Sequence, residues 1–178
     1  MKKVKIIINK TELDKILNRL TKLIVKKYKD LNNLAIVGIH TNGVYLAQRI
    51  VEKIKQLTNK KIKLGYIDIT FYRDDIGYRK NIQQPKDTQI DFNIDNKDIL
   101  LIDDVLFTGR TVRAAMEQLL EIGRPKTISV LVLIDRGLRE LPIYAEFVGK
   151  KIATTHKQQI ELLLKETGGD DTVVIYTK

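Results

Sequence analysis

Two adjacent carboxylates and a short turn rich in threonine and glycine are the residues of this chain best suited to chemistry. Asp103 and Asp104 follow the apolar run at residues 99–102, and Thr108-Gly109-Arg110-Thr111 comes shortly after them. The apolar run predicts a strand buried on both faces, whose carboxyl end carries the two acids. Carboxylates accept hydrogen bonds from a diol, whereas main-chain N–H groups and threonine hydroxyls bind phosphate. The pattern therefore indicates a ligand such as a ribose 5-phosphate.

A helix is predicted to start inside this turn. Gly123 and Pro125 end it in the order typical of a helix C-terminus. Its unpaired N–H groups and positive dipole end would face the turn, which favours phosphate binding there. The apolar residues that recur at helical spacing are Val112, Ala115, Met116, Leu119 and Leu120.

The rest of the chain predicts elements that can position this segment. Successive strand–helix units with buried strands indicate an α/β fold: one doubly wound domain over residues 1–178, with a mainly parallel central sheet flanked by helices. Thr11-Glu12-Leu13-Asp14 reads as a capping box that opens the first helix. The last two predicted strands form a closing pair, or small hood. The predicted strands cover residues 4–8, 35–39, 61–70, 99–102, 128–134, 144–148, 160–164 and 172–176.

Residues 72–91 form a polar, charged segment with few apolar anchors. A stretch of about twenty such residues inside a compact domain is more often functional than idle. We interpret it as a flexible loop that acts as a lid, with Arg73, Arg79 and Lys80 available to a polyphosphate. A disordered surface excursion is the alternative.

Composition limits the possible environments and partners. The chain has 178 residues, 43% of them hydrophobic, and no cysteine, which excludes disulfides and thiolate chemistry. Neither a signal-peptide pattern nor an apolar run long enough to cross a bilayer occurs, so we predict a cytoplasmic protein without membrane contact. The net charge of +10 favours polyanionic partners. Its most directional part is a stripe along the first predicted helix, either a solvated face or a track for a nucleic-acid backbone: Lys15, Arg19, Lys22, Lys26 and Lys29.

A second turn, His40 to Gly43, invites comparison with nucleotide-binding loops. Gly38 and Gly43 have the GxxxxG spacing of a P-loop, but Val44 and Tyr45 stand where Lys and Ser or Thr would be needed. The chain also lacks GxGxxG. An ATPase and a dinucleotide-binding protein are therefore excluded.

The segment ILLIDDVLFTGRTVRAAMEQLLEIGRP resembles the phosphoribosyl diphosphate (PRPP) binding motif of the type I phosphoribosyltransferases. Within them, the chain is most similar to the pyrimidine operon attenuation (PyrR) family, whose members also act as uracil phosphoribosyltransferases. IVGIHTNGVYLAQRI, GYIDITFYRDD, VLIDRGLRELPI and EFVGK carry this closer likeness, which runs nearly end to end.

The resemblance implies a pentosyltransferase that makes UMP and diphosphate from uracil and PRPP, with Asp103 and Asp104 as catalytic residues. Mg²⁺ would arrive on PRPP oxygens, so no metal ligands are predicted in the protein. Homodimers or higher homo-oligomers are also implied. The residues implied for substrate binding are Thr41, Asn42, Gly43, Arg73, Phe107, Thr108, Gly109, Arg110, Thr111, Arg136 and Val148.

Two departures from the family pattern bear on the substrates. Asn42 stands where the turn after the second strand usually has arginine, which removes a cation from the expected diphosphate side. Phe107 stands where purine-specific relatives commonly have an acidic residue, so a purine would lack a hydrogen-bond partner. We therefore favour a pyrimidine base, with transfer to another base as the alternative.

The resemblance also implies binding to an mRNA leader in response to UMP, through Arg19, Arg139 and Lys150. Leu138 replaces the usual histidine and Tyr144 the usual arginine of DRGHRELPIR, and Asn18 stands in place of a threonine. These changes keep general charge and weaken sequence-selective readout, because phosphate contacts position and base contacts specify. The alternative to an active phosphoribosyltransferase is an RNA-binding regulator or nucleotide sensor with little catalytic activity.

Overall fold

The computed structural model describes residues 4–69 and 88–177, which form two sheets and three α-helices. Arg73, Arg79 and Lys80, together with most of the predicted lid, lie outside the described residues. In chain order the elements are β1 (Lys5–Ile8), α1 (Lys10–Lys27), β2 (Leu34–Ile39), α2 (Asn42–Thr58), β3 (Lys63–Ile67), β4 (Asp98–Leu106), α3 (Arg110–Ile122), β5 (Thr127–Asp135), β6 (Phe147–Lys151), β7 (Gln158–Leu163), a 3₁₀ turn (Lys165–Thr167) and β8 (Thr172–Thr177).

The larger sheet is parallel, with strand order β3-β2-β4-β5-β6. Alternate residues of β4 serve its two faces. Leu100 and Ile102 pack against α1 and α2, whereas Ile99 and Leu101 pack against α3. All four are fully buried, as expected for a strand covered on both sides. The predicted doubly wound, mainly parallel sheet is confirmed.

All five strands run parallel, but the order in which the chain adds them to the sheet reverses between β2 and β4. From β2 the chain passes through α2 to β3 on one side, and from β4 it passes through α3 to β5 on the other. Such a switch point leaves a crevice at the carboxyl ends of the two strands, where open α/β sheets bind their ligands.

The smaller sheet is antiparallel, with strand order β1-β8-β7, and we call it the hood. Ile8, Leu162 and Val173 are buried in the same hydrophobic cluster as α1, α2 and the parallel sheet. The predicted closing pair is confirmed as β7 and β8, which β1 extends.

The boundaries of several elements differ from the sequence prediction. The capping box predicted at residues 11–14 was wrong, because α1 is capped by Asn9. The Asn9 side chain accepts a hydrogen bond from Glu12 N at 2.9 Å. Lys29 lies beyond the C-cap, Tyr28, and so outside the helix. The strand predicted at residues 144–148 begins only at Phe147, and the one predicted at 61–70 is confined to Lys63–Ile67.

Candidate functional site

The two carboxylates lie where β4 continues past its neighbour β2. The pairing of β2 with β4 ends at Gly38 and Ile102, whereas β4 stays paired with β5 through Leu106. Asp103 and Asp104 therefore lie within β4 but beyond the end of β2. This placement exposes one side of the strand to the crevice at the switch point.

Hydrogen bonds fix both carboxylates. Asp103 is buried, and its Oδ1 accepts a hydrogen bond from Asp104 N at 2.9 Å. Asp104 Oδ1 accepts from Val105 N at 2.8 Å, and Asp104 Oδ2 accepts from Asn42 Nδ2 at 2.8 Å. These donors suit carboxylates and hold their remaining lone pairs in defined directions. A diol in the crevice would meet acceptors whose orientation is already set.

The turn that follows β4 leads directly into α3. Gly109 caps the helix with φ of 95°, a conformation that favours glycine. The Thr108 carbonyl accepts hydrogen bonds from Glu140 N and Leu141 N at 3.0 and 3.1 Å, which tie the turn to the segment after β5. The first N–H groups of α3, from Arg110 onward, have no acceptor within the helix. Thr108, Gly109, Arg110 and Thr111 thus lie directly after the strand that carries the acids, at a helix N-terminus of the type that binds anions.

The second turn, Thr41-Asn42-Gly43, packs closely against β4. A Cβ on Gly43 would lie 2.4 Å from the Ile102 carbonyl oxygen, and one on Gly38 would lie 2.7 Å from the Gly43 carbonyl oxygen. Glycine is required at both positions because backbone meets backbone there. The GxxxxG spacing is therefore a packing feature, and it brings the start of α2 to the carboxylates.

The Phe107 ring contacts Arg136, which follows β5, and His156, which lies between β6 and β7. Arg136 Cζ lies 4.1 Å from the centroid of the Phe107 ring, in a cation–π contact. The Arg136 side chain donates hydrogen bonds to Thr154 Oγ1 at 2.9 Å and to the Thr155 and Gln158 carbonyls at 3.1 and 2.7 Å. Burial lowers the pKa of Arg136, although a guanidinium stays charged in proteins. The structure thus commits Arg136 to the segment between β6 and β7 and to the first residue of β7, whereas the resemblance implies a contact with substrate.

His156 is a residue near this group that the sequence analysis did not select. Its ring centroid lies 6.1 Å from that of Phe107, in an edge-on arrangement. Asp68 is a second unselected residue: it is buried, directly follows β3 and lies at the same edge of the parallel sheet as the acids. Asp68 falls within the strand predicted at residues 61–70, so the sequence pattern does not place it at a strand end, and nothing in the sequence brings His156 near Phe107.

Val148 lies two strands away from the strand that carries the acids. It lies inside β6, paired with Val132, and packs against the cluster around Leu106 and Val112. The crevice therefore brings together the predicted residues of β4, the α3 turn and the α2 turn, but not the Val148 side chain.

The residues predicted to bind RNA are engaged within the protein. Arg19 donates to the Val148 and Gly149 carbonyls, and Lys150 pairs with Glu12 at 2.6 Å, so both link α1 to β6. Arg139 donates to four carbonyls, those of Leu106, Phe107, Gly137 and Ile143, and pairs with Asp135 at 2.6 Å.

The two substituted positions of the DRGLRELPIY segment lie on one surface. Leu138 and Tyr144 line a groove of about 490 Å³ that also contains Arg136 and Lys151. Tyr144 is 75% exposed. The replacements at Leu138 and Tyr144 therefore change the same groove.

Neither a metal-binding cluster nor a membrane-spanning helix occurs in the described residues. Among residues 4–69 and 88–177, no group of three or more His, Cys, Asp or Glu side chains could hold an ion. No helix in the same ranges is long and apolar enough to cross a bilayer. The Asp103 and Asp104 carboxylates of β4 suit an Mg²⁺ that arrives on the oxygens of a ligand, because hard cations bind carboxylate and phosphate oxygens together.

Comparisons with known proteins agree with this geometry. A family described as the phosphoribosyl transferase domain matches residues 9–163. A Bifunctional protein PyrR from Caldicellulosiruptor bescii is 48% identical over 175 residues, covering 98% of this chain and 96% of the relative. A protein of the same name from Bacillus cereus is 43% identical over 180 residues and covers all of both chains.

Solved structures show the same fold. A hypoxanthine phosphoribosyltransferase from Staphylococcus aureus matches with a TM-score of 0.71 at 22% identity, over 97% of this chain and 91% of the other. A hypoxanthine-guanine phosphoribosyltransferase from Bacillus anthracis matches with a TM-score of 0.72 at 16% identity, over 98% of both chains. At such identities the likeness concerns the fold alone.

Proposed function

Because the chain belongs to the phosphoribosyl transferase domain family, and within it to the PyrR proteins, we propose that it transfers the phosphoribosyl group of PRPP to uracil. The products are UMP and diphosphate. One observation carries the proposal: Asp103 and Asp104 lie at the switch point of the sheet, on the strand that leads into the N-terminus of α3. A ribose 5-phosphate needs both a diol acceptor and an anion cradle, and β4 with its following turn supplies the two.

In this mechanism the protein binds and orients PRPP. The N–H groups of the 108–111 turn hold the 5-phosphate, and the two carboxylates accept hydrogen bonds from the ribose hydroxyls. The bond from C1 to the diphosphate breaks and a bond from C1 to N1 of uracil forms, while the N1 proton is taken up by the released diphosphate. The negative charge of Asp103 and Asp104 stabilises the positive charge that develops at C1. Mg²⁺ bound to PRPP would neutralise part of the diphosphate charge.

The uracil assignment is supported by Phe107 and by the membership of the chain in the PyrR family. Purified protein with PRPP and Mg²⁺ should turn over uracil in preference to orotate, hypoxanthine, guanine and adenine. Turnover of a purine alone would contradict the pyrimidine assignment.

The carboxylates are tested by D103N and D104N, with D98N as the matched control. Asp98 lies at the opposite end of β4, where it accepts hydrogen bonds from Asn33 and Thr127. We expect D103N and D104N to abolish turnover and D98N to retain it. Full activity in either of the first two would refute the role given to the carboxylates.

A second activity, binding of an mRNA leader in response to UMP, is favoured by the name Bifunctional protein PyrR of the relatives and by the net charge of +10. Filter binding to the leader of the protein's own pyrimidine genes, with and without UMP, tests it. Binding indifferent to both sequence and UMP would count against regulation. A cytoplasmic location and a homodimer or larger assembly are part of the same proposal, and sedimentation analysis tests the assembly.

A further inference from the structure

The Asn42 side chain connects the second carboxylate to the hood. Its Nδ2 group donates to Asp104 Oδ2 at 2.8 Å and to the Leu162 carbonyl at 3.1 Å. Leu162 belongs to β7, is almost fully buried and pairs with Val173 of β8. One amide group therefore touches the candidate ribose site and the hood at the same time.

The link fixes the rotation of the Asp104 carboxylate. Asp104 Oδ1 accepts from Val105 N at 2.8 Å while Oδ2 accepts from Asn42, so rotation breaks at least one of these bonds. A cation in this place would cancel the charge of the carboxylate. The Asn42 amide is neutral, so it orients the Asp104 carboxylate and leaves its negative charge in place. The negative charge thus remains available to stabilise positive charge at C1 of the ribose.

We propose that Asn42 is a positioning residue that orients Asp104 for the ribose hydroxyls and couples occupancy of that site to the packing of β7. The inference rests on the proposed function, because it takes the ribose of PRPP as the ligand of Asp104. Ribose hydroxyls that bind Asp104 would reinforce its fixed orientation, and the shared amide would transmit that order to Leu162.

Asn33, which directly precedes β2, provides a matched control because its side chain contacts the other end of β4. Its Nδ2 group donates to Asp98 Oδ2 at 3.2 Å and to the Asn96 carbonyl at 3.1 Å. This is the same chemistry, an amide shared by a carboxylate and a carbonyl, at the opposite end of β4. N33A should therefore report the cost of losing such a bridge away from the crevice.

The first measurement is hydrogen exchange of residues 158–164 in the ligand-free protein. We expect N42A to exchange about fivefold faster there than the wild type, the effect of losing one net hydrogen bond, and N33A to match the wild type. Unchanged exchange of β7 in N42A would overturn the link. This test holds whether or not the protein binds PRPP, so it separates failure of the link from failure of the proposed function.

The second measurement is calorimetric titration with Mg²⁺ and PRPP. N42A should bind PRPP about five- to tenfold more weakly than the wild type. We expect saturating PRPP to slow exchange in β7 of the wild type but not of N42A. N42D places a carboxylate beside Asp104, and a shared proton relieves their repulsion only at low pH. Its loss of affinity relative to the wild type should therefore grow between pH 6 and 8.5. Equal PRPP affinity in N42A, N33A and wild type would overturn the positioning role, and a wild type that binds no PRPP would overturn the proposed function.

Discussion

Replacing Arg139 tests whether this residue supports the fold or contacts RNA. The Arg139 and Asp135 side chains are only 14% and 16% exposed, and their ion pair measures 2.6 Å. The other donors reach the Leu106, Phe107, Gly137 and Ile143 carbonyls. R139A would remove the cation from a largely buried carboxylate, which would keep its hydrogen bond from Gly137 N, and would remove one donor from each of these carbonyls.

The expected loss of stability follows from that burial. Removing one partner of a buried ion pair costs about 3–5 kcal/mol, and the residual exposure places Arg139 near the lower end, at about 3 kcal/mol. For a chain of this length that corresponds to a decrease in Tm of about 6–12 °C. R139K should lose nearly as much, because an ammonium cannot span several acceptors with the geometry of a guanidinium.

Thermal and urea unfolding of R139A, R139K and R113A would measure this. Arg113 is a partly exposed arginine of α3 that pairs with Glu117 one turn later, and R113A should cost less than about 1 kcal/mol. If the Tm of R139A lies within 1–2 °C of the wild-type Tm, the loss of unfolding free energy is at most ~1 kcal/mol. The structural role of Arg139 is then refuted. RNA affinity retained in R139K but lost in folded R139A would instead establish a phosphate contact.

Three further predictions concern the hood, the α2 turn and the base. R49M should lower the free energy of unfolding by about 1–2 kcal/mol at pH 7. Because Arg49 lowers the pKa of Glu166, this loss of stability should be complete above the ordinary glutamate pKa and should shrink as the pH falls through the lowered pKa of Glu166. Unfolding measured at pH 7 and at pH 3.5 would check this. G43A would force a Cβ to within 2.4 Å of the Ile102 carbonyl oxygen, so we expect a loss of about 1–3 kcal/mol in urea unfolding and weaker PRPP binding. F107D should reduce uracil turnover without creating guanine turnover, because the new carboxylate would meet the Arg136 guanidinium; efficient guanine transfer would contradict this.

Local sequence patterns predicted the central segment well because its elements are continuous along the chain. The buried run before Asp103, the Gly109 turn and the helical spacing after it are adjacent in sequence, and the structure has them as β4, the cap and α3. The strand extends further than predicted, to Leu106, because β5 supplies a partner there. Strand ends depend on the neighbouring strand, which the local pattern does not contain.

Side-chain roles that depend on distant segments could not be predicted in the same way. Asn42 was read as a lost cation near a diphosphate, and its acceptor Leu162 lies 120 residues away. Arg136 was read as a ligand contact, yet its acceptors belong to a segment about twenty residues later. A guanidinium or amide finds whichever acceptors the tertiary fold brings near, so its partners follow from topology rather than from local spacing.

The same principle separates the positive charges that hold the fold together from those that face outward. Lys150 is paired with Glu12, and Arg19 is bound to the carbonyls of β6, so these cations already serve the contact between α1 and β6. The exposed lysines of α1, among them Lys15 and Lys22, lie on the same helix and are not required by that contact. A phosphate backbone needs only nearby charge, whereas selection among RNA sequences needs directed donors. Attraction of RNA should therefore depend mainly on the exposed lysines, and sequence selection on the groove that Leu138 and Tyr144 have altered.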